Sequence, residues 1–178
     1  VATRPGAGER VEFAVRMPGD GGQPCVWLPI DAKFHGDTYA NLMDAYETAD
    51  AAEIGRARKL LVDALRKSAK DIRDKYVEPP ATTDFAVLFL PFEGLYAEAV
   101  NLGVMETVQQ DYKVMLAGPA TMAALLNSLQ MGFKTLAIQK HSGQVWDVLG
   151  AVKSEFDKFG TVLALTQQRL VQANEELD

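Results

Sequence analysis

The sequence predicts an α/β protein: a mixed sheet of about four strands flanked by helices, with a long C-terminal helix of the coiled-coil type. Three patterns predict it. Near the start, apolar and polar residues alternate on both sides of a Gly- and Pro-rich stretch, the mark of half-buried strands. Two short, wholly apolar, β-prone runs follow, each reached through helical sequence, and parallel neighbours need such crossovers. The final stretch repeats its apolar residues at alternating steps of four and three.

Residues 1–9 carry Pro5, Gly6 and Gly8 without a hydrophobic pattern and read as a disordered or truncated N-terminal segment. The chain starts at Val1 rather than Met, as expected of an excised fragment. Residues 10–150 should form the globular core and 151–178 a helix extending from it. Val11, Phe13, Val15 and Met17 alternate with Glu12, Ala14 and Arg16; Val26, Leu28, Ile30, Ala32 and Phe34 alternate with Trp27, Pro29, Asp31 and Lys33. The intervening Pro18-Gly-Asp-Gly-Gly-Gln-Pro24 is a dense turn signal, so the two runs should pair as a hairpin.

Two helices broken near Asp50 should occupy Asp37 to Tyr76, the second with a buried stripe of Ile54, Ala57, Leu61, Leu65, Ser68 and Ile72. Pro79-Pro80 stops it. Phe85 to Leu90 and Lys113 to Ala117 read as strands buried on both faces, with helical sequence from Gly94 to Tyr112 between them. Pro119 opens a helix to about Gln139 whose Met122, Leu125, Leu126, Leu129, Phe133 and Leu136 predict deep packing. A polar turn about His141 should separate it from the last helix, where Val145, Leu149, Val152, Phe156, Phe159, Leu163, Thr166, Leu170 and Ala173 form a seam suited to a homo-oligomer.

A chain of 178 residues, 48% of them apolar, can bury one sizeable core. Its single cysteine, Cys25, excludes an internal disulfide framework and makes a reducing compartment, the cytoplasm, the natural setting. The longest apolar run, Phe85 to Phe92, contains Pro91 and is far too short to span a membrane. A net charge of −6 argues against coating nucleic acid by bulk electrostatics but leaves room for a local basic face.

If the hairpin is symmetric about Gly21-Gly22, opposed residue numbers sum to 43, and every apolar residue meets an apolar one. Arg16 then meets Trp27, and Glu12 lies opposite Asp31. Carboxylates so opposed have Cβ atoms about 5 Å apart. At an effective dielectric near 20 their repulsion is on the order of 3 kcal/mol. A bridging Mg²⁺ would offset it, since hard cations take one or two carboxylates plus water and phosphate oxygens. Lys33, two residues from Asp31 and on its face, could stabilise charge developing on a phosphate or an attacking hydroxide. The plainer alternative is a surface cluster in which Lys33 pairs with Asp31 or Glu12 on a solvated sheet face.

Arg10-Val-Glu12-Phe-Ala-Val-Arg-Met-Pro-Gly and Pro29-Ile-Asp31-Ala-Lys33-Phe resemble the core of the RmuC family of bacterial DNA recombination proteins. Thr83-Asp84-Phe-Ala-Val-Leu-Phe-Leu-Pro91-Phe-Glu93-Gly-Leu-Tyr-Ala-Glu-Ala and Ala117-Gly-Pro119-Ala-Thr121-Met-Ala-Ala-Leu-Leu-Asn strengthen the match. The resemblance implies a restriction-endonuclease-like core of the PD-(D/E)XK type in a protein that limits DNA rearrangement. It implies Glu12 and Asp31 as metal-binding acids for Mg²⁺ or Mn²⁺ and Lys33 as the catalytic lysine. Catalytic inactivity, with DNA-structure binding and oligomerisation as the whole function, is the alternative. Val11-Glu12 stands where the family commonly has Pro-Asp, and His35 where relatives often have proline. The first helix and strand of such a core would lie upstream of Val1.

Further candidates are His35, which shares the face of Asp31 and Lys33 if the strand continues, and Glu93, at the carboxyl end of a buried strand. A strand-end role for His35 and a helix-terminal role for Glu93 are the structural alternatives. Arg56, Lys59, Arg66, Lys67, Lys70 and Arg73 make the remaining face of the Ala51 to Tyr76 helix net basic, suited to a phosphate backbone or simply to solvent. Gly118-Pro119-Ala-Thr121 opens a helix after a strand and reads as a cap rather than an anion site.

Overall fold

The computed structural model describes residues 1–4, 6, 8–18 and 25–175, with side-chain surroundings for all of these except 140–147, 170, 171 and 173–175. The turn centred on Gly21-Gly22, the side chain of His141, and those of Val145, Leu170 and Ala173 therefore lie outside the described residues. The chain divides into two compact units, Val1–Ser128 and Leu129–Asp178.

The first unit is α/β. Its strands β1 (Phe13–Met17), β2 (Val26–Ala32), β3 (Ala86–Phe89) and β4 (Val114–Ala117) form a four-stranded mixed sheet in the order β1-β2-β3-β4. β1 pairs antiparallel with β2 in the expected register, from Phe13 opposite Ile30 to Met17 opposite Val26. The β2–β3 and β3–β4 pairs are parallel, as their helical crossovers require. Helices α1 (Gly36–Thr48) and α2 (Ala51–Tyr76) join β2 to β3, and α3 (Glu93–Asn101) and α4 (Val104–Tyr112) join β3 to β4. The break between α1 and α2 falls where the sequence places it: Ala49 adopts the left-handed conformation and the Asp50 side chain accepts from the Ala52 N–H at 2.8 Å, capping α2. The main core joins Ala57, Leu61, Leu65, Ala69 and Ile72 of α2 to Ala86 and Leu88 of β3 and Val114 and Leu116 of β4.

Three expectations need correction. The half-burial predicted for the apolar side of β1 fails at Phe13, which is 61% exposed on the edge strand although its partner Ile30 is buried. The polar turn about His141 is absent; α5 runs without interruption over Pro119–Glu175. No proline follows Pro119, and glycine costs a helix only about 1 kcal/mol, so nothing stops the backbone ladder there. The deep packing expected for the start of α5 is also limited: Met122 is buried, but Leu126 and Leu136 are exposed. Periodicity identifies which residues share a face and says nothing of what lies against it.

In the second unit Leu149, Val152, Phe156, Phe159 and Leu163 are exposed along α5. No helix among the described residues is long and apolar enough to cross a membrane.

Candidate active site

Paired residues in a sheet share a face. Asp31 pairs with Leu88, which belongs to the core cluster under α2, whereas Ile30 pairs with Val87 on the opposite face. Asp31 thus lies on the helix-covered side, the reverse of a solvated display, and only 1% of it is exposed. β2 is buried on both faces, with Leu28 and Ile30 on one and Pro29 and Asp31 on the other.

Burying a lone carboxylate is costly, and Lys33 offsets that cost: its Nζ lies 2.9 Å from Asp31 Oδ2. The same Oδ2 is buried without a hydrogen bond of good geometry, so the contact is ionic rather than directional. Lys33 leaves the sheet just past β2, its N–H donating to the Phe89 carbonyl at 3.2 Å, and its side chain is 40% exposed. The close contact with Asp31 raises the Lys33 ammonium above the ordinary lysine value, against desolvation, with the charges of Asp31, Tyr76 and Glu12 adding to the rise. Buried acid and half-open lysine form one polar unit reaching from the core to solvent.

Glu12 lies one residue before β1 and is exposed. Its Oε2 accepts from the Ala32 N–H at 3.3 Å, which carries the carboxylate to the end of β2 beside Asp31 and Lys33. Among the described residues no group of three or more His, Cys, Asp or Glu is arranged to hold a metal. A cation here would find at most two protein carboxylates and keep water or phosphate oxygens in its remaining positions, the usual condition of Mg²⁺. The buried Asp31 Oδ2, without a hydrogen bond of good geometry though 2.9 Å from Lys33 Nζ, is an oxygen of the kind such an ion takes.

His35, the residue before α1, places Nε2 3.2 Å from Ser68 Oγ of α2. Burial, and then the charge of Lys33, push the imidazole below the ordinary histidine value. A neutral histidine held in this way contributes stability above about pH 6.5, the ordinary value, and that stability is lost as pH falls through the lowered one. Urea midpoints should therefore fall as pH drops from 7.5 toward 5, and His35→Gln should remove that part of the fall. An unchanged profile in the variant would show that other groups carry it.

Two residues that sequence reasoning did not single out for the site belong to its surroundings. Ser68 is the one polar residue in the apolar stripe of α2, and that anomaly was the available signal. Tyr76 follows Ile72 by one helical turn, which continues the stripe to the end of α2. Burial raises its phenol above the ordinary value, as does the charge of Asp31. The backbone carbonyl of Tyr76 accepts from Thr3 Oγ1 at 3.2 Å, and Thr3 is buried.

Glu93 lies apart from this cluster in its contacts. Its Oε1 accepts from the Ala120 N–H at 2.5 Å, so the carboxylate sits at the start of α5 while opening α3. Thr121 closes the same helix end, its Oγ1 accepting from the Gly118 N–H at 2.8 Å. On α2, Arg56, Lys59, Arg66, Lys67 and Lys70 are exposed, and Arg73 donates to the Asp84 carbonyl at 3.3 Å. No ion pair among the described residues involves any of these six.

Comparison with known proteins places these observations in a family. The RmuC family model matches residues 1–178. DNA recombination protein RmuC homologs from two strains of Xylella fastidiosa, Temecula1 and 9a5c, are each 52% identical over 168 residues. That match covers 93% of this chain and 37% of each relative, so the chain spans little more than a third of their length. No solved structure matches. With the family model matched from end to end, the chain belongs to the RmuC family.

Proposed function

We propose that this chain is the nuclease-like part of a DNA recombination protein that limits DNA rearrangement, with a restriction-endonuclease-like core of the PD-(D/E)XK type. The observation that carries the reading is the buried Asp31 carboxylate, its Oδ2 without a hydrogen bond and Lys33 Nζ 2.9 Å away. A buried acid held by a lysine that is itself open to solvent suits phosphate chemistry better than it suits stability, since an apolar pair there would serve a fold at least as well. The relatives' description as DNA recombination proteins supports DNA as the substrate class.

Asp31 and Glu12 would hold Mg²⁺ or Mn²⁺, which when bound supplies an activated water and neutralises phosphate charge. Asp31 provides the fixed oxygen and Glu12 the solvent-side one. Lys33 faces the charge that develops on the phosphate, where a positioned cation is most effective. The exposed cations of α2 would track the DNA backbone. Such a protein would work in the cytoplasm.

Calorimetric titration of the full-length protein with MnCl₂ and MgCl₂ tests the metal role. Binding that Asp31→Ala abolishes is the expected result; absent binding, or binding indifferent to Asp31→Ala, would exclude it. Cleavage assays should show Lys33→Ala slower by roughly 10²- to 10³-fold, the usual loss when a charge-stabilising group is removed. DNA binding that survives Asp31→Ala and Lys33→Ala without any cleavage, but disappears on reversing Lys67 and Lys70, would favour a non-catalytic DNA-binding module. The apolar seam of α5 would serve a homo-oligomer; in that case truncation after Gly150 turns oligomers into monomers in light scattering.

A further inference from the structure

Two large aromatic side chains stand exposed in the segments that follow β2 and β3. Phe34 is 69% exposed and Phe92 44%, and their ring centroids lie 5.4 Å apart with the planes tilted by 58°. Phe34 directly follows Lys33, and Phe92 lies between Pro91 and Glu93. Both belong to segments leaving the carboxyl ends of parallel neighbours, β2 and β3, the edge at which open α/β sheets place their ligands. The Ala32–Phe89 pair, and the bond from the Lys33 N–H to the Phe89 carbonyl, bring those segments side by side.

The backbone leaves room for one of the rings. A Cβ on Gly36 would lie 2.3 Å from Phe34 Cε1, so glycine at the first position of α1 is what lets the ring lie there. Exposed phenylalanines gain nothing from water, and a contiguous aromatic surface is characteristic of a binding site.

We propose that Phe34 and Phe92 form a stacking platform for an unpaired nucleobase, with the adjoining phosphate directed to Lys33. Resting on the reading of this site as one that acts on DNA, the proposal adds which DNA it takes: strands with bases free to leave the stack. The chemistry of the neighbours selects this occupant. A nucleotide offers a π-face and an anion a few ångströms apart, and the platform offers a ring one residue along the chain from a half-exposed ammonium. A protein knob would call for a wider apolar rim, but the chain beside Phe34 is Lys33, His35 and Asp37, and beside Phe92 it is Glu93. Bases inside an intact duplex are already stacked and cannot reach the rings.

The test is fluorescence anisotropy of a labelled oligothymidylate, the same strand with abasic sites, and a matched duplex, each titrated with the chain. The base-bearing strand should bind roughly 5- to 100-fold more tightly than the abasic one, the range for stacking a base on an aromatic ring. Phe34→Ala and Phe92→Ala should erase that preference, and Phe34→Tyr should keep it; both positions are exposed, and thermal melts of each variant verify its folding. Equal affinity for base-bearing and abasic strands, no binding of single strands, or a preference that survives both alanine variants would overturn the proposal. Cleavage is measured on the same samples with Lys33→Ala as control. Base-dependent binding without metal-dependent cleavage keeps the platform and removes the nuclease; Lys33-dependent cleavage with base-independent binding does the reverse.

Discussion

Lys33→Met is expected to destabilise the chain by about 3 kcal/mol at pH 7, at the lower end of the cost of unpairing a buried ion. The substitution keeps most of the aliphatic stem but leaves the Asp31 carboxylate, with only 2% of its side chain exposed, facing no cation. Lys33 itself is 40% exposed, so water on its side moderates the loss. Asp31→Asn combined with Lys33→Met should recover much of the deficit, because a neutral amide no longer needs a counter-charge. Urea unfolding of the wild type, the two single variants and the double variant closes the cycle. Additive losses would show that the 2.9 Å contact contributes little and that Lys33 acts only toward solvent.

Leu88→Ala is expected to cost about 2–5 kcal/mol, the range for emptying a fully buried leucine site. Leu88 is 0% exposed on an inner strand, paired on one side with Asp31 and on the other with Leu116. Parallel strands close on both sides leave little room to collapse into the cavity, which favours the upper part of the range. The urea midpoint should fall with the slope unchanged. Since Leu88 is the neighbour of Asp31 on the same face, the substitution should also weaken Mn²⁺ binding by the full-length protein. A loss below 1 kcal/mol would mean that the core under α2 repacks freely.

Much of this architecture is legible in short-range pattern. Opposed residue numbers in the hairpin follow from alternation and a turn of known centre, and Asp50 announces a helix start because its side chain satisfies the Ala52 N–H. The buried stripe of α2 also follows from spacing alone. Which face of a sheet a helix covers is settled by long-range packing, and alternation is blind to it. Asp31 shows the consequence: its position beside Glu12 and Lys33 could be read, whereas its burial came only with α2 lying over it. His35 against Ser68 joins residues 33 positions apart, a proximity no local signal carries. Phe13 errs in the opposite sense, an apolar residue in good alternation that stays exposed on an edge strand.

The edge position of β1 gives the two acids unequal footing. Asp31 rides on a strand held on both sides, by β1 and by β3, whereas Glu12 reaches the site from the end of a strand that, among the described residues, is held on one side only. Fraying of an edge strand takes far less free energy than unfolding. One carboxylate is thus an anchor and the other a gate, and the distance between them is set by how firmly the outermost strand is zipped to its neighbour. A bound strand or ion that draws Glu12 inward would tighten that zipper, so occupancy of the site and order of the sheet edge would rise together.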